Sequence, residues 1–255
     1  MKISATIVTY NGFAEAKTAA DSLLAHTKGA ALSLYMVDNA SPDGTGKMLQ
    51  NAEFDAPVTV LALDKNVGFG SGHNAVLPLL QSDYHAVVNP DILLTSDALS
   101  GICAYLDAHP DVVMATPALR YPDGRAQHTA KRNPTFMALL SRQLPLPFLK
   151  NIEKHYLMLD EDLSAPVDVT FCSGCFFVMR TAVFKEMGGF DEGYFMYVED
   201  ADITRKALSY GRCVFLPQES VQHAWHRDAN KKAANFFMQI RSMLRYWRKW
   251  GFHII

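Results

Sequence analysis

Residues 3–38, "ISATIVTYNGFAEAKTAADSLLAHTKGAALSLYMVD", decide the fold. "ISATIVTY" is rich in β-branched residues and stops at a turn, so it reads as a strand. Gly12 to His26 carries apolar residues at helical spacing, and "LSLYMVD" is a second strand. The rhythm then repeats. "DGTGKMLQNA" begins a short helix, "PVTVLAL" is a third strand, Phe69 to Leu80 is helical and "DYHAVVN" is a fourth strand. Ser96 to Ala108 is a helix and "VVMATP" a fifth strand. Strand–helix alternation with short connections predicts an α/β fold whose sheet is parallel and covered on both faces.

Past Pro117 the rhythm breaks. Pro122, Pro134, Pro145 and Pro147 interrupt the chain around an apolar run, "MALLSRQLPLPFLK", which predicts a partly irregular, mobile insert. Strands resume at Val167 to Thr170 and Phe176 to Met179. A helix is expected from Asp200 to Tyr210, ended by Gly211, then a short strand "CVFLP" and a last helix over 230–250.

The bulk numbers agree with a globular chain. Of 255 residues, 49% are hydrophobic and 20% charged, which suits one large domain or two small ones. No apolar run approaches the roughly 20 residues of a membrane span. The N-terminus lacks the long apolar segment and cleavage site of a signal peptide, so a cytoplasmic location is expected. Cys172 and Cys175 form a CxxC with no second pair to complete a zinc site, and read as small residues packed beside a glycine. The net charge of −2 is unevenly spread: the segment from Arg227 onward is basic and the rest acidic, which suggests an anionic partner surface. Basic residues form no stripe across the domain, so nucleic acid is not expected.

Polar residues gather where the strands end: Thr9-Tyr10-Asn11, Asp38-Asn39, Asp64-Lys65-Asn66 and Asn89-Pro90-Asp91. Open α/β sheets bind ligands outside the carboxyl ends of their strands. "NPDI" puts Asn89 and Asp91 two apart after a buried strand, oxygen donors that suit Mg²⁺ or Mn²⁺ held together with a substrate phosphate; turn chemistry alone is the competing reading. "DKNVGFGSGHN" lets backbone N–H groups approach a pyrophosphate, although its glycine spacing is not the dinucleotide fingerprint. Asp38 can accept the N3–H of a pyrimidine base, or simply close a turn. "YFMYVEDADITRKA", residues 194–207, packs Glu199, Asp200 and Asp202 behind apolar residues. Acids there complement a helix start. A carboxylate partly desolvated by Phe195, Met196 and Tyr197 also suits a general base. His223 can add a nitrogen ligand to the metal.

"VTYNG", "VDNASPDGT", "NVGFGSGHN", "NPDILL", "CSGCFFVMR" and "GGFDEGYFMYVEDADITRKALSYG" occur in that order. Together they resemble the inverting family 2 glycosyltransferases of the GT-A fold, most of all bacterial rhamnosyltransferases of O-antigen and cell-wall polysaccharide synthesis. The resemblance covers about residues 3 to 226. It implies a Rossmann-like, mostly parallel sheet flanked by helices. Residues 1–226 would be one glycosyltransferase domain, with a nucleotide-sugar half over 1–117 and an acceptor and catalytic half over 118–226. Residues 227–255 would form a basic amphipathic helix.

The resemblance implies roles by position. Thr9, Tyr10 and Asp38 hold the nucleotide base, with Asn11 beside them, and Asn66 and Gly68 line the donor pocket. "NPD" stands at the family's DxD, with Asp91 as metal ligand and Asn89 a departure from the first acid. Asp200 matches the catalytic base, Glu199 is a supporting acid on the acceptor side, and His223 matches a metal-binding histidine. Arg132 is added as a diphosphate partner on charge alone. The implied reaction moves L-rhamnose from dTDP-β-L-rhamnose to a polyprenyl-diphosphate saccharide at the cytoplasmic face of the inner membrane. A donor such as a UDP-hexose, or a non-catalytic nucleotide-sugar-binding subunit, are the rival readings. In the last helix, Phe236, Ile240, Met243, Leu244 and Trp247 share one face and Arg241, Arg245 and Arg248 another, which fits an anionic membrane surface or packing on the core.

Overall fold

The computed structural model describes residues 1–144, 146–224 and 232–254. The expected boundary at 226/227 and residues Arg227 to Lys231 of the basic tail lie outside the described residues. The first half alternates as its sequence rhythm predicts. Strand β1 (Lys2–Thr9) leads to α1 (Phe13–His26), β2 (Ala31–Asp38), α2 (Thr45–Gln50), β3 (Val58–Ala62) and α3 (Phe69–Asn74). Then follow β4 (Tyr84–Val88), β5 (Ile92–Leu93), α4 (Ala98–Ala108), β6 (Val112–Arg120) and β7 (Ala126–Gln127). The second half has α5 (Phe136–Gln143), α6 (Lys150–Tyr156), β8 (Val167–Asp168), β9 (Phe176–Arg180) and α7 (Thr181–Glu186). It closes with α8 (Glu199–Ala207), β10 (Arg212–His223) and α9 (Lys232–Trp250).

The main sheet runs in the order β3-β2-β1-β4-β9-β6-β10-β5. Strands β3, β2, β1 and β4 are parallel neighbours, and β6 pairs parallel with β10. All five residues of β4 and seven of the eight in β1 are buried, as expected of strands covered on both faces. The fifth strand of the sequence rhythm does not join the fourth. Antiparallel β9 lies between them, pairing Val88 with Phe176 on one side and Met114 with Met179 on the other.

Three expectations are corrected. The short strand "CVFLP" is the start of β10, which runs on to His223. Its pairing with β6 skips from Leu216 to Ser220, so a bulge absorbs Pro217 and the ladder resumes beyond it. The helix expected over Phe69 to Leu80 ends at Asn74, with only a 3-10 turn at Leu77–Leu79 after it. The insert, expected to be partly irregular, carries two helices, α5 and α6. The Thr135 hydroxyl caps α5 by accepting from the Ala138 N–H at 3.2 Å. The N–H groups of Phe136 and Met137 donate to the carbonyls of His253 and Ile254, which ties the insert to the segment after α9. Ala138, Tyr156, Phe171, Tyr194, Ala201 and Tyr246 share one buried cluster, so insert, α8 and α9 pack as a unit.

Candidate active site

The parallel register of β1 and β2 places Thr9 beside Asp38 at the carboxyl edge of the sheet. Both are buried. The Thr9 hydroxyl donates to the Asn11 carbonyl at 3.1 Å, and Asn11, with φ of 61°, donates its N–H to Ser41 Oγ at 2.8 Å. Asp38 Oδ2 accepts from the Ser41 N–H at 3.2 Å. Its Oδ1 is buried without a hydrogen-bond partner among the described residues. A buried carboxylate oxygen left open costs desolvation unless a ligand donates to it. Tyr10 is exposed beside this edge.

The glycine-rich loop joins this edge to the second half. Asn66 Oδ1 accepts from the Gly68 N–H at 3.0 Å, and Asn39 Nδ2 donates to the Gly68 carbonyl at 3.0 Å. Gly68 has φ of 89°, and a Cβ there would collide with the Phe195 carbonyl, which accepts from the Phe69 N–H at 3.0 Å. The loop is therefore clamped onto the 194–198 segment.

At the far edge, β5 pairs antiparallel with the end of β10, and His223 faces Ile92. That register sets Asp91 Oδ2 3.3 Å from His223 Nε2. Burial alone would push the His223 pKa down, but the Asp91 carboxylate and the Cys175 sulfur carry it up to about 10. Gln127 grips the histidine twice. Its Nε2 donates to the His223 carbonyl at 2.8 Å, and its Oε1 lies 2.8 Å from Nδ1, so Nδ1 carries the hydrogen and Nε2 points to Asp91. Sequence reading missed Gln127. It lies 96 residues from its partner, and no local pattern marks it. Without a metal the Nε2 proton sits against Asp91; a divalent ion would displace it, and the Asp91 carboxylate with that oriented nitrogen would fit such an ion if its remaining ligands came from a diphosphate. Among the described residues no cluster of three or more His, Cys, Asp or Glu side chains is arranged to hold a metal. Asn89 donates its backbone N–H to the Cys175 carbonyl at 2.9 Å.

The three acids of 199–202 open α8, as a helix start requires, and then part company. Tyr197 and Val198 precede them with φ of 71° and 69°. Two consecutive left-handed residues, one of them β-branched, mark a strained turn held by its surroundings. Asp200 lines a cavity of about 290 Å³ together with Lys131, Arg142, Tyr156, Tyr197 and Gln239. Its Oδ2 accepts from the Gly174 N–H at 3.1 Å and its Oδ1 from the Ala201 N–H at 2.9 Å. Burial raises the Asp200 pKa, while Lys131 and these N–H groups oppose the rise. Glu199 is buried, and its Oε2 has no hydrogen-bond partner among the described residues. Burial, then the Asp200 charge, lift its pKa to about 8. Burial thus pushes both carboxyls of this pair up, and only Asp200 has Lys131 and two N–H groups that favour its charged form. Asp202 is structural: it accepts from Lys249 Nζ at 2.9 Å, Trp250 Nε1 at 2.7 Å and the Tyr194 hydroxyl at 3.3 Å.

Arg132 is not brought to these groups. It is held by Asp160 at 3.1 Å and Glu161 at 2.5 Å, and it lines a different cavity with Asn133, Asn151 and His155. Its neighbour Lys131 faces Asp200 instead. The CxxC stretch also does more than pack. Gly174 binds Asp200, and Cys175 meets Asn89 and His223, so one turn links Asp200 to the Asp91–His223 pair. The four cysteines are free.

The profile of "Glycosyl transferase family 2" matches residues 4–188. An N-acetylglucosaminyl-diphospho-decaprenol L-rhamnosyltransferase of Mycobacterium tuberculosis is 27% identical over 241 residues, spanning 85% of this chain and 77% of its own. Rhamnosyltransferase WbbL of Escherichia coli is 26% identical over 190 residues, spanning 70% of this chain and 69% of its own. Among solved structures, mannosyltransferase PcManGT from Pyrobaculum calidifontis, in complex with GDP-Man and Mn²⁺, superposes with a TM-score of 0.66 at 14% identity. The match covers 97% of this chain and 63% of that one, so this chain spans less than two thirds of its length. The shared architecture is the GT-A fold.

Proposed function

The chain belongs to glycosyl transferase family 2, and we propose that it moves L-rhamnose from dTDP-β-L-rhamnose to a hydroxyl of a polyprenyl-diphosphate-linked saccharide, with inversion, in O-antigen or related polysaccharide synthesis. The names of its mycobacterial and Escherichia coli relatives support the sugar, and the mycobacterial name supports the lipid-linked acceptor. The observation that carries the reading is the Gly174–Cys175 turn, which couples a cavity-facing Asp200 to the Asp91–His223 pair.

In this account Asp38 Oδ1 accepts the thymine N3–H, and Thr9, Tyr10 and Asn11 shape the nucleoside site. Asn66, Gly68 and Asn89 line the donor. Asp91 and His223 hold Mg²⁺ or Mn²⁺, which when bound stabilises negative charge on the leaving diphosphate. Asp200 takes the proton from the acceptor hydroxyl. That oxygen forms its bond to the anomeric carbon from the face opposite the diphosphate, the old C–O bond breaks, and dTDP leaves. One displacement turns the β-linked donor into an α-L-rhamnoside. Glu199, protonated, spares Asp200 a second negative charge at its side.

A thermal-shift panel tests the donor, because a ligand that binds the native state raises Tm. Stabilisation by dTDP and dTDP-rhamnose, larger with Mn²⁺ or Mg²⁺, is expected. Stabilisation by UDP-sugars alone would overturn the rhamnose reading.

The reading extends to an anionic membrane surface at the cytoplasmic face. No helix among the described residues is long and apolar enough to cross a membrane. One side of α9 packs on the body through Tyr246, Trp247 and Trp250. Arg245 and Lys249 pair with Asp191 on that body. The other side exposes Phe236, Phe237, Ile240 and Leu244 next to Arg241 and Arg248. Apolar anchors beside cations that make no salt bridge among the described residues suit anionic lipid. Flotation with phosphatidylglycerol liposomes tests this: co-migration at low salt is expected, and none would contradict it.

A further inference from the structure

The cavity in front of Asp200 contains two cations that the displacement itself does not use. Lys131 and Arg142 both line it. Among the described residues neither makes a salt bridge within 4.0 Å, in contrast to Arg132 next door. The Lys131 ammonium instead lies 4.7 Å from the centre of the Phe171 ring. Burial lowers the Lys131 pKa; the Asp200 carboxylate opposes it, and the Arg142 charge adds a smaller push downward. Two cations against one carboxylate leave surplus positive charge in a pocket otherwise walled by Pro134, Leu139, Tyr156, Phe171 and Val198. Lys131 is half-buried and Arg142 exposed, so the surplus charge lies open to an anion that enters the cavity between them.

The position of the cavity identifies which anion. Its walls are the insert, α8 and, through Gln239, α9. Thr9, Asp38, Asp91 and His223 do not line it, so it is separate from the donor edge of the sheet. Gln239 sits between Phe236 and Ile240 on α9, which are exposed, so an apolar tail leaving the cavity meets an apolar surface.

We propose that Lys131 and Arg142 form a subsite for the diphosphate of a lipid-linked acceptor, holding its phosphate oxygens while the first sugar presents a hydroxyl to Asp200. This rests on the transferase reading and assigns acceptor binding to residues that it leaves unassigned. Arg142 is the forked donor at the rim, and Lys131 is the point charge deeper in.

Two measurements test it. The first compares one saccharide carried on a short-chain prenyl diphosphate and on an uncharged alkyl ether. Arg142→Gln should lower kcat/KM for the diphosphate acceptor about tenfold to a hundredfold, through KM, and lower it far less for the ether. Arg142→Lys should recover part of the loss, and KM for dTDP-rhamnose should not move. Equal losses on both acceptors, or a loss confined to donor KM, would overturn the subsite. The second measurement is calorimetric binding of farnesyl diphosphate without donor. The wild-type chain should bind it, Arg142→Gln at least tenfold more weakly, and saturating dTDP should not displace it. Displacement by dTDP would assign the cations to the donor instead. Lys131→Met, tested in the same way, should also weaken binding; unchanged binding in both variants would overturn the proposal. If Arg142-dependent binding is present but rhamnose is not transferred to either acceptor, the donor reading fails and the subsite stands.

Discussion

Glu199, Asp200 and Asp202 fall within one helical turn, and their surroundings give each a different chemistry. Glu199 holds its proton to about pH 8 in the folded chain, against an ordinary value of 4.5. Between those values the folded state binds more protons than the unfolded one. The contribution of this group to stability is therefore greatest at low pH and is lost as pH rises through that window. Glu199→Gln should flatten the dependence. Urea melts at pH 5 and pH 8 measure it: the wild type should lose more stability between the two than the variant, and equal losses would contradict the assignment. Gln127 is the other decisive residue. Gln127→Leu removes the acceptor for His223 Nδ1 and should weaken Mn²⁺ binding by about 10- to 100-fold, read by calorimetry with the fold intact by circular dichroism. Unchanged affinity would show that the tautomer is set by something else.

Elements differ in how far their sequence discloses them. The first four strands and their helices are legible because β-branched runs and helical spacing are local signals, and the acids of α8 are legible because they sit together in the chain. The insertion of β9 between β4 and β6 is not, since strand order is decided by pairing across about ninety residues of chain (Val88 with Phe176) rather than by any local pattern. Pro217 hid the second half of β10, and with it the register that brings His223 to Asp91. The polar strand ends at Thr9, Asp38 and Asp91 were readable, whereas Lys131 was passed over for Arg132 because charge alone does not say which of two adjacent side chains turns inward. Helix α9 was readable as amphipathic, but not the use of Asp202 to anchor it. Asp202→Ala strands the Trp250 and Tyr194 donors and leaves Lys249 with Asp191 alone. Since Lys249 is partly exposed, the loss should be about 2–3 kcal/mol. Urea denaturation checks the size, and faster proteolysis within α9 checks the place. A change below about 0.5 kcal/mol would contradict the anchoring role.

At the scale of the whole molecule, the sheet edge that carries Thr9, Asp38, Asp91 and His223 meets the insert–α8–α9 unit along two clamps. One is Gly68 against Phe195, and the other is the Gly174–Cys175 turn against Asp200 and His223. The sheet edge and the Asp200 cavity are thus joined by short contacts, through the Gly68 and Gly174 backbone and the Cys175 side chain. The central claim is that Asp200 deprotonates an acceptor hydroxyl for a single inverting displacement. The most direct measurement is proton NMR of the product formed from dTDP-β-L-rhamnose and a prenyl-diphosphate saccharide, by the wild type and by Asp200→Asn. An α-L-rhamnoside from the wild type, with turnover lowered at least about a hundredfold in the variant while it still binds dTDP-rhamnose, is the predicted result. A β-L-rhamnoside, or near-normal transfer by Asp200→Asn, would contradict it.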